Sequence, residues 1–225
     1  MKNLRYKFEI FKSGFTLAEV VITLVIIGVV AALTISPLVN TYVESSTVAK
    51  VKKGLSILGQ AKKLAETQNG SIEGWNFSDG TSPEAASQLW NYLKPHISVA
   101  KDCGAGQDCY KNVEIKVLSG GAWANYNSSP NYYKFVLADG GVMWFRTAQS
   151  NKCSDYDGGI NNVCAVFWYD VNGDKGPNQV ARDIFVYMMS VEGVYPHLFN
   201  DCYKNDQGWG CTSYIIKHNN MNYLH

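Results

Sequence analysis

The chain has 225 residues, 46% of them hydrophobic and 17% charged, and its formal net charge is +1. So even a balance offers no electrostatic footprint for nucleic acid, and no nucleic-acid partner is expected. Trp, Tyr and Phe number 6, 14 and 9, a composition that points to a β-rich domain more than to any particular ligand.

Residues 1–14 form a short basic peptide, with Lys2, Arg5, Lys7 and Lys12 against the single acid Glu9. From Ser13 to Val43 the only charged side chain is Glu19, and the apolar run reaches Val39. About 20 apolar residues suffice to cross a bilayer. A carboxylate inside such a run costs roughly 2.5 kcal/mol or more at the bilayer centre and less near the interface, so Glu19 is a functional signal.

Gly14-Phe15-Thr16-Leu17-Ala18-Glu19, the basic leader before it and the apolar stretch Val20–Ile35 after it resemble the N-terminus of type IV pilins and of type II secretion pseudopilins. The resemblance covers about the first 50 residues. It implies that a prepilin peptidase/methylase cuts after Gly14 and methylates the new N-terminal Phe15, and that Glu19 takes part in adding subunits to a helical filament. The implied partners are that enzyme, other pilin or pseudopilin subunits and an inner-membrane assembly platform. One departure is Pro37, about one residue later than the proline that often follows the family's apolar stretch.

Two plainer readings compete. An ordinary secretory signal peptide could use Val30-Ala31-Ala32 as its cleavage site, but Glu19 would then lie in the apolar region and the run continues past the small residues. A plain single-span anchor leaves Gly14-Phe15 and Glu19 without a role. Four basic residues precede the span, and Glu44 comes before the first downstream lysine, Lys50. The N-terminus is therefore expected in the cytoplasm, with a single pass through the cytoplasmic membrane and the bulk of the chain exported, ending in a pilus or pseudopilus. Cleavage after Gly14 takes four basic residues from 20 and one acid from 19, leaving 16 and 18 and a net charge of −2.

A single helix is predicted from Phe15 to about Gln68. Its first half is apolar all round, as suits lipid or a filament centre. In its second half Val48, Val51, Leu55, Leu58, Ala61 and Ala65 recur at steps of three and four, while Lys50, Lys52, Lys53, Lys62 and Lys63 fall on other faces. Gly28 suits a close approach between helices, and Gly54 and Gly59 read as local flexibility. Asn69-Gly70 is the stop signal.

A loop at 70–82 is followed by a short helix over Pro83–Leu93, with Ser82 as N-cap and Pro83 at its first position. Strands are expected at Val113–Leu118, Tyr132–Ala138, Val142–Thr147, Val163–Tyr169 and Ile184–Met189. Asp139-Gly140-Gly141 makes a hairpin of the second and third. Short connections predict antiparallel order.

All six cysteines, Cys103, Cys109, Cys153, Cys164, Cys202 and Cys211, lie beyond the span, which reads as a disulfide framework in an exported domain. Six cysteines allow 15 pairings. The simplest choice joins neighbours, Cys103–Cys109, Cys153–Cys164 and Cys202–Cys211. The last of these also resembles the disulfide-bounded C-terminal region of many pilins. Cys-x-x-Cys is absent and the four histidines do not flank the cysteines at ligand spacing, so zinc is disfavoured.

Asp170, Asn172 and Asp174, with Asp183 beyond, alternate oxygen ligands in a way that suits calcium, and some pseudopilins carry calcium in a loop of the globular domain. The competing reading is a glycine-bearing turn in which Asp and Asn bond their own backbone. No nucleophile elbow, zincin segment or phosphate-cradling loop is present, so an enzyme is not expected. Trp123, Trp144 and Trp168 suggest either core or a sugar-binding surface, with core favoured.

The expected fold is α+β, a long N-terminal transmembrane and amphipathic helix packed on a C-terminal antiparallel β-sheet domain, pilin-like in arrangement. The expected segments are a leader (1–14), the membrane or filament-core half of the helix (15–39), its amphipathic half (40–68) and an extracytoplasmic domain (69–225). The expected function is a structural filament subunit. The alternative is a membrane-anchored extracytoplasmic module that binds calcium or another ligand and forms no filament.

Overall fold

The computed structural model describes residues 14–105, 114–123 and 129–225. Helix α1 spans Leu17–Asn69, continues through Pro37 and stops where Gly70 takes a positive φ of 78°, a left-handed conformation that glycine adopts without steric cost. The Gly70 amide still donates to the Glu66 carbonyl at 2.9 Å.

Two compact units divide at Val43 and Glu44. In the first, the large apolar side chains of α1, among them Val20, Leu24, Ile27, Leu33, Leu38 and Val43, are exposed. In the second, the stripe read from the sequence is the buried face: Val48, Val51, Leu58, Ala61 and Ala65 are all covered. The amphipathic part of α1 therefore shares a core with the sheet and belongs to the same packed unit, Glu44–His225.

Helix α2 (Pro83–Leu93) starts as its sequence dictates. Ser82 is extended and its hydroxyl accepts the Ala85 amide at 3.0 Å, which satisfies one of the orphan donors of the first turn. Ala86, Leu89, Trp90 and Leu93 are buried. A short 3₁₀ turn, Lys94–His96, closes it.

The sheet has seven strands: β1 (Val99–Gly104), β2 (Tyr133–Leu137), β3 (Val142–Thr147), β4 (Asp155–Asp157), β5 (Ile160–Asp170), β6 (Ile184–Ser190) and β7 (Val194–Pro196). Their order is β1-β2-β3-β5-β6-β7, with β4 also on β5, and every pairing is antiparallel. The β2–β3 hairpin closes with Gly140 at a φ of +88° and the Gly141 amide on Asp139 at 3.2 Å.

Side chains alternate across the pleat into two cores. Phe135, Phe145, Phe167, Tyr169, Phe185 and Tyr187 face α1 and α2. Val142, Trp144, Val166, Trp168, Val186 and Met188 form the other face, covered by Ile115, Leu118 and Val180 from loops and by Cys211. Helix α3 (Cys211–His218) follows and ends at Asn219 in the left-handed region, φ 59°.

Four sequence expectations change. The strand expected at Val113–Leu118 is not formed within the described residues 114–118: only two isolated bridges appear, from Lys116 to Ala122 and to Gln179, because Val117–Gly120 turns back on itself. Strands β1, β4 and β7 and helix α3 were not legible. Lys62 is not on a solvent face: it is buried, with its ammonium on Glu66 at 2.7 Å and on the Val191 carbonyl at 2.9 Å. Gly54 is a point of contact, not flexibility. A Cβ there would meet Tyr169 Cδ1 at 2.8 Å and the Tyr187 hydroxyl at 2.9 Å, and that hydroxyl donates to the Val51 carbonyl at 2.7 Å.

Candidate functional site

The N-terminal segment carries the residues singled out from the sequence. Gly14, Phe15 and Thr16 precede the helix without regular structure, and Phe15 is 87% exposed. The peptide bond after Gly14 is thus outside α1.

Thr16 and Glu19 cap the helix reciprocally. The Glu19 amide donates to the Thr16 hydroxyl oxygen at 3.2 Å, while the Glu19 carboxylate accepts from the Thr16 amide at 2.8 Å and from its hydroxyl at 3.0 Å. Two backbone donors with no partner inside the helix are satisfied at once. Thr16 was not singled out from the sequence, although Thr-x-x-Glu before an apolar run is the signal that finds it. The carboxylate also sits in the first turn, where the helix dipole favours negative charge. Beyond it the described residues contain one helix, α1, long and apolar enough to cross a membrane.

Residues 11–35 match the family model for the prokaryotic N-terminal methylation motif. The chain carries the type IV pilin and pseudopilin signature. No curated protein and no solved structure matches the chain significantly. A long apolar N-terminal helix followed by an antiparallel sheet is the pilin-like α+β arrangement, and the motif implies processing by a prepilin peptidase.

In the globular unit of this pilin-like chain, disulfides join Cys153 to Cys164 and Cys202 to Cys211. Cys103 is also disulfide-bonded, and Cys109 lies outside the described residues. The first bridge ties the β4 approach to β5. The second ties the loop before α3 to that helix.

The loop between β5 and β6 contains the four residues read as calcium ligands. Asp183 is buried, and its two oxygens accept the Asn178 and Gln179 amides at 2.8 and 2.7 Å. Asp170 is buried and accepts the Asn172 amide at 3.0 Å. The Asn172 amide group lies 3.4 Å from Asp183. Asp174 is exposed, and among the described residues Asp170, Asp174 and Asp183 do not form a group that could hold a metal. Calcium is usually held by six to eight converging oxygens, and in this loop both oxygens of Asp183 already accept backbone amides. Asp183 instead organises the turn's backbone. Burial raises its carboxyl to about 6, with the two amides pulling the other way.

The three tryptophans divide. Trp144 and Trp168 are buried on the second face of the sheet, as a core reading requires, and Trp123 is half-buried.

Proposed function

We propose that this chain is the precursor of a structural filament subunit, a type IV pilin or a type II secretion pseudopilin, with no catalytic role of its own. A prepilin peptidase removes residues 1–14 and methylates Phe15, and an inner-membrane platform then adds the subunit to others of its kind. The observation that carries this reading is the stretch Leu17–Val43, whose large apolar side chains are exposed and which bears one carboxylate at its start. Such a surface is stable only in lipid or against other apolar helices.

Glu19 is the register element. Cleavage after Gly14 gives Phe15 a free amine, and pairing of Glu19 with that amine, in its own chain or in the next subunit, offsets the cost of desolvating both charges. The amphipathic half of α1 and the sheet then present an outward domain.

Intact mass in a cell with active prepilin peptidase is expected to match a chain that begins at N-methylated Phe15. Glu19→Ala is expected to be inserted and cleaved normally but to stay in the membrane fraction, not the sheared-fibre pellet. A mature chain beginning near Leu33 would overturn the processing step. Wild-type incorporation of Glu19→Ala would remove Glu19 from assembly and favour the anchored-module alternative.

A further inference from the structure

The face of the sheet away from α1 is not fully covered. Between Trp123 and the loop after β7 it leaves a cleft of about 330 Å³, at the small end of ligand pockets. Its floor includes Trp168 on β5, and Trp123, Trp209, Gln207, His197 and Asp157 stand around it. The indoles form a continuous row, with Trp123 and Trp209 centroids 4.3 Å apart and Trp123 and Trp168 5.8 Å apart.

Trp209 is held in place although it is only half-buried. Its backbone amide donates to Asp201 at 3.2 Å, its indole N–H donates to Gln207 Oε1 at 2.6 Å, and the Cys202–Cys211 bridge closes the loop that carries it. Fixing a half-exposed aromatic by three separate devices is what a preorganised binding surface needs.

The charges of the cleft are already balanced. Asp157 pairs with Arg146 at 2.7 Å. Asp201 is spent on the Trp209 and Gly210 amides. The His197 Nδ1 accepts the Phe199 amide at 3.4 Å, which leaves Nε2 to carry the hydrogen as a donor. No uncompensated carboxylate waits for a cation. Trp123 and Trp209 meet edge to face at 70° and so enclose no gap for one. What remains is a set of aromatic plates with neutral or paired hydrogen-bonding groups at their edge.

We propose that this cleft binds a neutral saccharide, a pyranose of gluco type whose apolar C–H face rests on the indole of Trp209, with Trp123 standing edge to face beside it, and whose equatorial hydroxyls reach Asp157, His197 and Gln207. Equatorial hydroxyls leave only axial C–H bonds on the ring faces, so such a sugar has an apolar plate and a polar rim that match the cleft. The proposal rests on Glu44–His225 alone and stands or falls separately from the filament reading.

The test is calorimetric titration of the full chain, in a polyoxyethylene detergent that contains no sugar, with cellobiose up to about 20 mM. Saturable binding is expected with a Kd of about 1 mM or tighter, and Trp209→Ala is expected to weaken it about tenfold or more. Sorbitol, which has the hydroxyls without the ring face, and choline, a cation for aromatic rings, are expected not to bind. If Trp209→Ala does not fold, Trp209→Phe keeps an apolar body on a smaller plate and is expected to weaken binding less but measurably. Absence of cellobiose binding, equal binding of sorbitol, binding of choline alone, or wild-type affinity in the folded Trp209 variants would each overturn the proposal.

Discussion

Leu24 and Leu58 lie on the same helix and have the same chemistry, yet Leu24 is 63% exposed and Leu58 is fully covered. Around Leu24 the neighbouring side chains are apolar except for Thr23, whose hydroxyl is turned onto the Val20 carbonyl, and no part of the described chain covers them. Around Leu58 the apolar residues are confined to one stripe, and Phe167, Tyr169 and Tyr187 of the sheet share its core. The contrast teaches that helix formation and helix burial are separate matters. The pattern through Val43 makes a helix whose covering none of the described residues supplies, whereas the pattern from Glu44 makes a helix that the sheet covers.

The largest effect that would sharpen this contrast comes from truncating the two leucines. All six tryptophans lie beyond Glu44, so their fluorescence in denaturant reports the globular unit. Leu58→Ala is expected to cost about 2–5 kcal/mol there, and Leu24→Ala nothing. A comparable loss from both would break the distinction.

Acid offers a second test, because the buried titratable groups of the described chain all lie beyond Glu44. Burial lowers His197 to about 4 from an ordinary 6.5, with the Asp201 carboxylate pulling the other way. The folded state therefore holds His197 neutral. Its contribution is intact above pH 6.5 and is lost progressively as pH falls towards 4, by up to about 3 kcal/mol. Asp183 works in the opposite sense. Its carboxyl, raised to about 6 by burial, favours the folded state most below about 3.8 and loses that advantage as pH rises through 6. The measurement is accordingly the difference between wild type and His197→Gln across pH 4–7. A difference that does not vary with pH would remove His197 as the cause.

A third test compares glycines of the same helix. Gly54→Ala is expected to cost about 1–3 kcal/mol by pushing α1 off Tyr169 and Tyr187. Gly59→Ala, with nothing within 4 Å of its added Cβ, is expected to stabilise by up to about 1 kcal/mol. Equal signs in a urea melt would mean that the helix adjusts freely against the sheet.

The smallest effect is expected from calcium. Because Asp183 is already occupied by backbone amides, the melting temperature is expected to be the same in calcium and in chelator. A rise in calcium that Asp174→Ala removes would return the cation to the β5–β6 loop.

Local signals were legible wherever a few adjacent residues decide the outcome. The apolar run with Glu19, the Ser82 cap, the Asp139-Gly140-Gly141 hairpin and the stripe from Val48 to Ala65 could each be read from neighbours in sequence, because capping, turn geometry and helical period act over four residues or fewer. Thr16-x-x-Glu19 was equally local and simply went unread. The short edge strands β1, β4 and β7 could not be read, because three to six residues without clean alternation become strands only when a longer neighbour offers its free edge.

Tertiary structure alone decided the remainder. Joining neighbours named Cys153–Cys164 and Cys202–Cys211 from the sequence, and both bridges form, but among the 15 possible pairings only the fold selects them. Lys62 is buried because the Val191 carbonyl and Glu66 await its ammonium, and no helical periodicity records where a distant carbonyl will lie. Gly54 became a contact only once β5 and β6 placed two tyrosines beneath it. The cleft joins Trp123, Trp168 and Trp209, residues more than 40 positions apart that share a face only through strand register and the Cys202–Cys211 bridge. The sequence by itself determined that a helix begins near Phe15, carries one carboxylate and needs a cover other than water, whereas proximity between distant segments came from packing, since a chain encodes neighbours along it directly and neighbours across it only through the fold.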